Sequence, residues 1–208
     1  MFSRRFLSAG AGALLLANAG HAQGLTSPAN SNPAAVTAGT YAVEPVHTRI
    51  LFAVSHMGFT TWYGDFTGAS GSLVLDPKQL AATRLDVSVP VASVTTTNAK
   101  LDGELKGANW LDAAHFPTAR FISRKVTPTA PNRADVAGDL TLHGVTHPVT
   151  FHVTFNSGGV NPLDKAYTVG FDARGVISRS EFGVARYVPL VGDRVELILS
   201  AAFERKSN

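Results

Sequence analysis

Apolar and polar residues alternate along most of the chain from Tyr41 onward, and this period of two is typical of strands with one buried face. Eight such segments can be recognised. They cover approximately residues 47–57, 62–76, 83–91, 118–127, 133–143, 146–157, 166–178 and 192–205. Within a segment the apolar positions share one face, as Ile50, Phe52 and Val54 do, whereas Asp, Thr, His, Arg and Glu occupy the opposite face. Each strand is therefore expected to have a dry side and a wet side.

Turn residues separate several of these segments closely enough for hairpins, for example at Asp76-Pro77, Gly144 and Gly158-Gly159. An antiparallel sheet with one apolar face has to hide that face and its edges. Eight strands suit an up-and-down barrel that can enclose one ligand. The pattern therefore predicts an all-β fold, an eight-stranded antiparallel barrel, and a sandwich of two packed sheets is the alternative.

Residues 95–117 interrupt the alternation. Thr96, Thr97 or Asn98 can cap a helix in which Leu101 and Leu105 lie one turn apart. Two glycines in this stretch weaken the helix, so a short helical insertion is predicted. A second helical turn is predicted around residues 180–183.

The first residues have the composition of an export signal. Arg4 and Arg5 form a charged start, an apolar stretch follows, and small residues at 20–22 resemble a cleavage site. Residues 1–22 are therefore predicted to be a signal peptide, used by the general secretory or the twin-arginine route, and the protein is predicted to be periplasmic. Residues 23–39 are small, uncharged and contain proline, which predicts a flexible lead-in. The barrel domain is expected over residues 40–206.

Composition excludes several classes of partner. Removal of the signal takes two of the 18 basic residues and none of the 15 acidic ones, which leaves a net charge of about +1. No block of Lys and Arg is interleaved with aromatic residues, so nucleic acid is not an expected partner. The mature chain has no apolar run of transmembrane length. It has no cysteine either, which excludes disulfides and thiol chemistry.

Histidine is the natural candidate for a metal or acid-base site, but the spacing does not favour one. His143 and His147 flank the turn at Gly144 and are interpreted as surface hairpin residues. The chain has no Gly-x-Ser-x-Gly elbow. No catalytic residue, metal site or cofactor is predicted. His56 ends an apolar row, which fits either a barrel-end histidine bonded to the backbone or a contact to the head group of a ligand.

Phenylalanine provides the positive signal. Several of the twelve phenylalanines, such as Phe52, Phe121 and Phe155, occupy strand positions with apolar neighbours two residues away. Such a set fits ordinary core packing, and it also fits the lining of a ligand cavity. Composition and periodicity leave both interpretations open.

Several motifs, in order along the chain, resemble the YceI-like family. They are Gly39-Thr-Tyr41, Glu44-Pro-Val-His47, Phe52-x-Val-x-His56-x-Gly58-Phe59, Leu111-Asp112 with His115-Phe116-Pro117, Gly138-Asp-Leu140-Thr-Leu-His-Gly144, Ile177-Ser-Arg179-Ser-Glu-Phe182-Gly183 and Gly192-Asp193. The resemblance covers residues 39–205. It departs from the family where Glu104 replaces a usual histidine, where Trp110-Leu111 replaces a pair of phenylalanines, and where His147 replaces a base.

This resemblance implies a lipocalin-like barrel that closes near the helical insertion, a long cavity for a polyisoprenoid, a quinone-like molecule or a fatty amphiphile, dimers in some members, and no catalytic residues. The cavity residues it suggests are Phe52, Val54, Phe66, Phe121, Leu140, Leu142, Phe151, Val153 and Phe171. The suggested head-group contacts are His47, His56, Asp112 and Arg179. The alternatives are a packed barrel that serves envelope stress or partner binding through its surface, and a hydrolase or isomerase that uses a histidine at the mouth.

Overall fold

The structure, a computed structural model, describes residues 27–206. Nine antiparallel strands and one α-helix dominate this part of the chain. The strands are β1 (Gly39–His56), β2 (Thr60–Phe66), β3 (Ser70–Leu75), β4 (Arg84–Pro90), β5 (Thr118–Ala130), β6 (Arg133–Leu142), β7 (Val145–Val160), β8 (Tyr167–Ser178) and β9 (Val191–Arg205). The helix is α1 (Ala99–Lys106). Short 3-10 turns cover Pro33–Ala35, Leu80–Ala82, Val91–Ser93 and Arg179–Phe182.

The nine strands fill eight positions in a closed barrel. β2 pairs with residues 50–56 of β1, and β3 pairs with residues 39–42 of the same strand on the same side. Together they form one broken strand, which corresponds to the predicted segment 62–76. On its other side β1 pairs with β9 and closes the sheet. The predicted eight-stranded antiparallel barrel is confirmed, and the sandwich alternative is wrong.

Glycine marks the break between β2 and β3. Gly68 adopts a φ of 69°, a left-handed conformation that costs glycine little, and the chain turns there from the line of β2 into that of β3. Gly71 follows with a φ of 140°, and the backbone of β4 at Asp86 approaches it so closely that no Cβ would fit. Glycine thus permits the bend at position 68 and the close approach of β4 at position 71.

The wall is interrupted between β2 and β5. After β4 the chain leaves the sheet, passes Thr95, forms α1, and returns as β5. Thr95 and Asp65 of β2 exchange two backbone hydrogen bonds of 2.9 Å, which anchor this excursion. The side chain of Asn98 accepts hydrogen bonds from the backbone N–H groups of Lys100 and Leu101, so the predicted cap and helix are confirmed. The end of the barrel that carries α1 is called the helix end below.

The opposite end, called the lead-in end, receives the chain before β1. Asn30 exchanges backbone hydrogen bonds of 2.8 and 3.0 Å with Gly158, and Val36 is buried. The described part of the predicted lead-in therefore contacts the barrel, and its flexibility stays a prediction. The predicted signal peptide, residues 1–22, lies outside the described residues.

Buried apolar residues form two clusters, one toward each end. Tyr41, Val169 and Phe203 belong to the cluster at the lead-in end. Phe182 and Val195 belong to the cluster at the helix end. Because β1, β7, β8 and β9 contribute residues to both, the clusters line a common interior, and the space between the inward rows is the candidate site.

Candidate functional site

A cavity of about 930 Å³ runs through the barrel, from Asn32 and Asn132 at the lead-in end to Trp110 and Tyr187 at the helix end. This volume lies near the upper limit for small-molecule pockets. On β9 the inward row from Val195 to Phe203 spans about 26 Å along the strand. Strand tilt reduces this to about 20 Å along the barrel axis. The cavity is therefore longer than one leaflet of a bilayer, whose apolar part is about 15 Å deep.

Apolar side chains form most of the wall. The structure places all nine predicted cavity residues on it, namely Phe52, Val54, Phe66, Phe121, Leu140, Leu142, Phe151, Val153 and Phe171. Ordinary core packing therefore does not account for the whole phenylalanine set, because the barrel is hollow. That these side chains contact a ligand stays a prediction.

Three wall phenylalanines pack closely against glycines of neighbouring strands. The pairs are Phe52 over Gly64, Phe121 over Gly138 and Phe151 over Gly175. A Cβ at position 138 would lie 2.5 Å from the Phe121 ring, and one at position 175 would lie 2.7 Å from the Phe151 ring. Real Cβ atoms do not approach so closely, so these rings need glycine opposite them. The glycines let large aromatic side chains line the wall without filling the cavity.

Arg179 supplies a buried cation at the helix end of the wall. Its guanidinium donates four hydrogen bonds of 2.5 to 3.0 Å to backbone carbonyl oxygens of Val184, Arg186, Val191 and Gly192. Burial lowers the pKa of Arg179, and the nearby Asp193 carboxylate opposes that shift. Arginine has five N–H donors, so these contacts leave one for another acceptor.

Two tryptophans complete this end of the cavity. The Arg179 guanidinium lies 5.5 Å from the centre of the Trp110 ring, within the range of a cation–π interaction. Trp62 lies on the wall beside His56, with 5.8 Å between the ring centres. Within residues 27–206 the His56 ring has no hydrogen-bond partner, so the backbone-bonded interpretation of this histidine is not seen. His56 and Arg179 are thus polar groups on an aromatic wall.

The other two predicted head-group residues lie away from the cavity wall. The side chain of His47 is 79% exposed and is bonded to Glu44 at 2.7 Å. A bulge in β1 between Glu44 and Arg49 places His47 outside the ladder. Asp112 lies in the loop after α1, has a φ of 45°, and accepts a hydrogen bond from His115. The geometry brings His56 and Arg179 to the cavity, and it does not bring His47 or Asp112.

Sequence reasoning missed several wall residues at the helix end. Trp62 continues the alternation of Gly64 and Phe66 and could have been found from it. Trp110 and Tyr187 lie in loops where periodicity gives no signal. They reach the cavity because α1 and the loop before β9 fold over the same end, and their rings lie 6.1 Å apart.

His143 and His147 hold the helix end together instead of lying free on a hairpin. His143 Nδ1 lies 3.1 Å from the carbonyl oxygen of Phe182, and His147 Nε2 lies 3.0 Å from that of Glu181. Both contacts tie the hairpin between β6 and β7 to the 3-10 turn at Arg179–Phe182. Both side chains are half-buried, so these are hairpin residues as predicted, and the contacts give them a structural role that the sequence did not indicate.

Two further features are absent from the described part of the chain. Residues 27–206 contain no group of three His, Cys, Asp or Glu side chains arranged to hold a metal ion. Among the same residues, no helix has the length and apolarity needed to cross a membrane.

The sequence model of the YceI-like domain matches residues 41–203, which include all nine strands in whole or in large part. The chain belongs to the YceI-like family. A UPF0312 protein of Pseudomonas fluorescens is 36% identical over 172 residues, which cover 79% of this chain and 86% of that protein. Another, of Pseudomonas savastanoi, is 35% identical over 141 residues, or 68% of this chain and 73% of that one.

Several solved structures share this fold. Burkholderia cenocepacia BcnA has a TM-score of 0.70 at 26% identity, with coverage of 77% of this chain and 98% of that one. The Campylobacter jejuni YCEI protein has a TM-score of 0.66 at 24% identity over 74% and 90% of the two chains. A domain from Saccharophagus degradans, described as polyisoprenoid binding, has a TM-score of 0.60 at 12% identity over 82% and 100%. The last two likenesses concern the fold alone.

Proposed function

We propose that this YceI-like protein binds and carries a long apolar amphiphile inside its barrel, and that it does so without catalysis. The single observation that supports this most strongly is the apolar cavity of about 930 Å³ that extends from the lead-in end to the helix end. Burial of one CH₂ group contributes about 0.8 kcal/mol, so one five-carbon prenyl unit offers roughly 3–4 kcal/mol before the costs of binding. Affinity can therefore come from chain length alone.

The ligand classes that fit are polyisoprenoids, quinone-like molecules and fatty amphiphiles. Each has a flexible chain for the aliphatic and aromatic wall and a small polar group for one end. The Saccharophagus degradans neighbour, described as a polyisoprenoid binding domain, supports the first of these classes. The proposal places the carrier in the periplasm, in keeping with the predicted signal peptide at residues 1–22.

The polar head group is proposed to lie at the helix end. Arg179 retains an N–H there, and it is fixed in place by its four carbonyl contacts. Such a preorganised donor suits the carbonyl oxygen of a quinone or the oxygen atoms of a phosphate or carboxylate. His56 and Trp62 offer a second polar contact and a surface for stacking.

Native mass spectrometry of protein purified gently from its own cells tests this proposal. A stoichiometric prenyl, quinone or acyl species, identified after solvent extraction, is the expected result. A clean apo mass that stays unchanged on adding quinones, prenyl lipids and fatty acids would contradict it, and would favour a barrel that works through its surface in envelope stress or partner binding.

A pair of variants on one strand sharpens the test. Ala173 of β8 lies on the cavity wall, so Ala173→Phe is expected to fill the cavity and to reduce ligand loading severalfold. Val176 lies on the outer face of the same strand and is exposed, so Val176→Phe is the matched control and should load normally. Equal loading of both variants would mean that the ligand lies outside the barrel.

A further inference from the structure

Exposed apolar side chains are concentrated at the helix end. Two segments there are joined by a hydrogen bond of 2.7 Å from Met57 N to Leu190 O. They are residues 57–63, which comprise the turn after β1 and the start of β2, and residues 184–191, which lead into β9. They carry six of the twelve large apolar side chains that the described residues expose. These six, called the mouth patch, are Met57, Phe59, Tyr63, Tyr187, Val188 and Leu190. Phe59 is 85% exposed, and a patch of this kind marks an interaction surface more often than a free one.

The mouth patch is continuous with the cavity. Tyr187 is 53% exposed and also lies on the cavity wall. Its ring contacts that of Trp110, which lies deeper on the same wall. An apolar molecule that leaves the cavity here would therefore cross apolar protein surface before it met water.

Charge distinguishes this end of the barrel from the other. The two segments of the mouth patch contain no carboxylate and one charged residue, Arg186, whose guanidinium lies 4.7 Å from the centre of the Tyr187 ring. Helix α1 at the same end carries two bases, Lys100 and Lys106, and two acids, Asp102 and Glu104, so its formal charges balance. The mouth patch thus combines aromatic rings, aliphatic side chains and an arginine with no carboxylate of its own, and this composition matches the interfacial region of an anionic bilayer.

The lead-in end lacks this match. Its exposed Leu163 adjoins Asp164, and Glu44 and Glu204 lie nearby. Burial, and then the carboxylates Asp164 and Glu44, raise the pKa of Glu204, and His47 opposes that shift. Lys165, Arg205 and Lys206 follow two of these acids in the sequence, so the charge at this end is mixed. The lead-in end differs from the mouth patch in that a carboxylate adjoins its exposed leucine.

We propose that the mouth patch docks this barrel on a lipid bilayer, with Phe59 and Leu190 entering the interfacial layer and the two tyrosines at the level of the head groups. The purpose of the contact, exchange of the amphiphile between bilayer and cavity, rests on the proposed function. A second copy of the chain fits less well. A two-fold contact would use the same patch on both copies and would seal the mouth.

Flotation with vesicles of phosphatidylethanolamine and phosphatidylglycerol tests the docking. Three proteins, each made as the full chain, are compared: the parent, Phe59→Ser with Leu190→Ser, and a control with Val160→Ser and Leu163→Ser. The control loses two exposed apolar side chains at the lead-in end. All three share the same N-terminal residues, so any contribution from these cancels. The first variant is expected to partition into vesicles at least about tenfold less than the parent, and the control like the parent.

Equal partitioning of all three proteins, or a parent that ignores vesicles, would overturn the docking proposal. A parent that instead dimerises in solution, and whose dimer the Phe59→Ser, Leu190→Ser variant loses, would assign the patch to a second copy and overturn it as well. Native mass spectrometry of the same samples separates the two proposals. Vesicle binding by a barrel that never holds an amphiphile would keep the docking and reject the carrier function.

Discussion

The ring of Phe52 lies against the backbone of Gly64, its direct partner on the neighbouring strand, so closely that a Cβ there would lie well under 3.0 Å from the ring. Both residues face the cavity side of the wall. Because Gly64 has no side chain, the Phe52 ring can lie close to the wall instead of extending into the barrel. The free space inside the barrel depends on this arrangement. An alanine at position 64 would have to push the ring inward or separate the strands.

Gly64→Ala is therefore expected to lower both the free energy of unfolding and the amount of ligand that the cavity holds. Overpacking of this kind costs typically about 1–3 kcal/mol in the free energy of unfolding, which denaturant titration measures. Loading of an amphiphile, measured by native mass spectrometry, should fall because the displaced Phe52 ring takes up cavity volume.

The control for this change is Gly103→Ala. Gly103 lies within α1, and nothing approaches the position of its Cβ. Alanine is the better helix former, so this variant should be more stable than the parent by about 0.5–1 kcal/mol. Unaltered stability and loading in Gly64→Ala would contradict the role assigned to the glycine gap.

Arg179 is predicted to hold the helix end together. The four backbone carbonyl oxygens around Arg179 are arranged to accept from a planar guanidinium. Arg179→Lys keeps the positive charge, but the lysine ammonium has only three N–H donors on a flexible side chain and cannot reproduce this arrangement. Carbonyl groups left without donors in a buried site are costly, so a loss of about 2–4 kcal/mol in the free energy of unfolding is expected.

Arg194→Lys provides the comparison for that variant. Arg194 is exposed on β9, near the same end of the barrel, and its replacement should change stability by less than about 0.5 kcal/mol. If the two lysine variants unfold at the same denaturant concentration, the buried guanidinium is not a structural anchor.

The protein is expected to lose stability at alkaline pH because of Tyr41. It is fully buried, its hydroxyl donates to the carbonyl oxygen of Thr37, and burial raises its pKa from 10.0 to about 12. The folded state holds the Tyr41 proton more tightly than the unfolded state does. The stabilisation that results is therefore complete below pH 10 and is lost as pH rises toward 12. The free energy of unfolding should therefore fall by up to about 3 kcal/mol over this range.

Tyr41→Phe isolates this contribution from those of lysines and other tyrosines. The variant should be less stable than the parent near neutral pH by about 1 kcal/mol, because it lacks the hydroxyl contact. Between pH 10 and 12 its stability should decline less steeply than that of the parent. Parallel curves for the two proteins would show that Tyr41 does not ionise differently in the folded state.

Periodicity predicted the barrel because inward and outward residues alternate through every strand, and it placed Phe52, Val54 and His56 on the correct face for the same reason. It did not predict the outward position of His47. Alternation is lost in the bulge between Glu44 and Arg49, where β1 has several residues opposite one of β9. The alternation of apolar and polar residues therefore does not predict which face a residue within such a bulge occupies.

The helix end was harder to predict, because its geometry depends on contacts between distant segments. Tyr187 and Trp110 are 77 positions apart in the sequence, but their rings lie 6.1 Å apart in the fold. The Arg179 guanidinium also contacts the Trp110 ring. No local signal links these residues. The family resemblance drew attention to Arg179 as a motif residue, but only the closed barrel shows that its partners are carbonyl groups.

The two tryptophans of the chain, Trp62 and Trp110, both lie on the wall at the helix end, and this makes fluorescence a test of ligand orientation. If the head group lies beside Arg179, a quinone such as decylubiquinone should quench the emission strongly on binding. Decanol, which has the same chain and no quinone ring, should bind without comparable quenching. The quinone should also quench both Trp62→Phe and Trp110→Phe, because each retains a tryptophan close to the ring.

The opposite orientation gives a different result. A quinone ring at the lead-in end would lie about 20 Å from the helix end along the axis, too far for contact quenching. Emission would then stay near its starting value while native mass spectrometry showed the quinone bound. That combination would retain the carrier function and reject the assignment of the head group to the helix end.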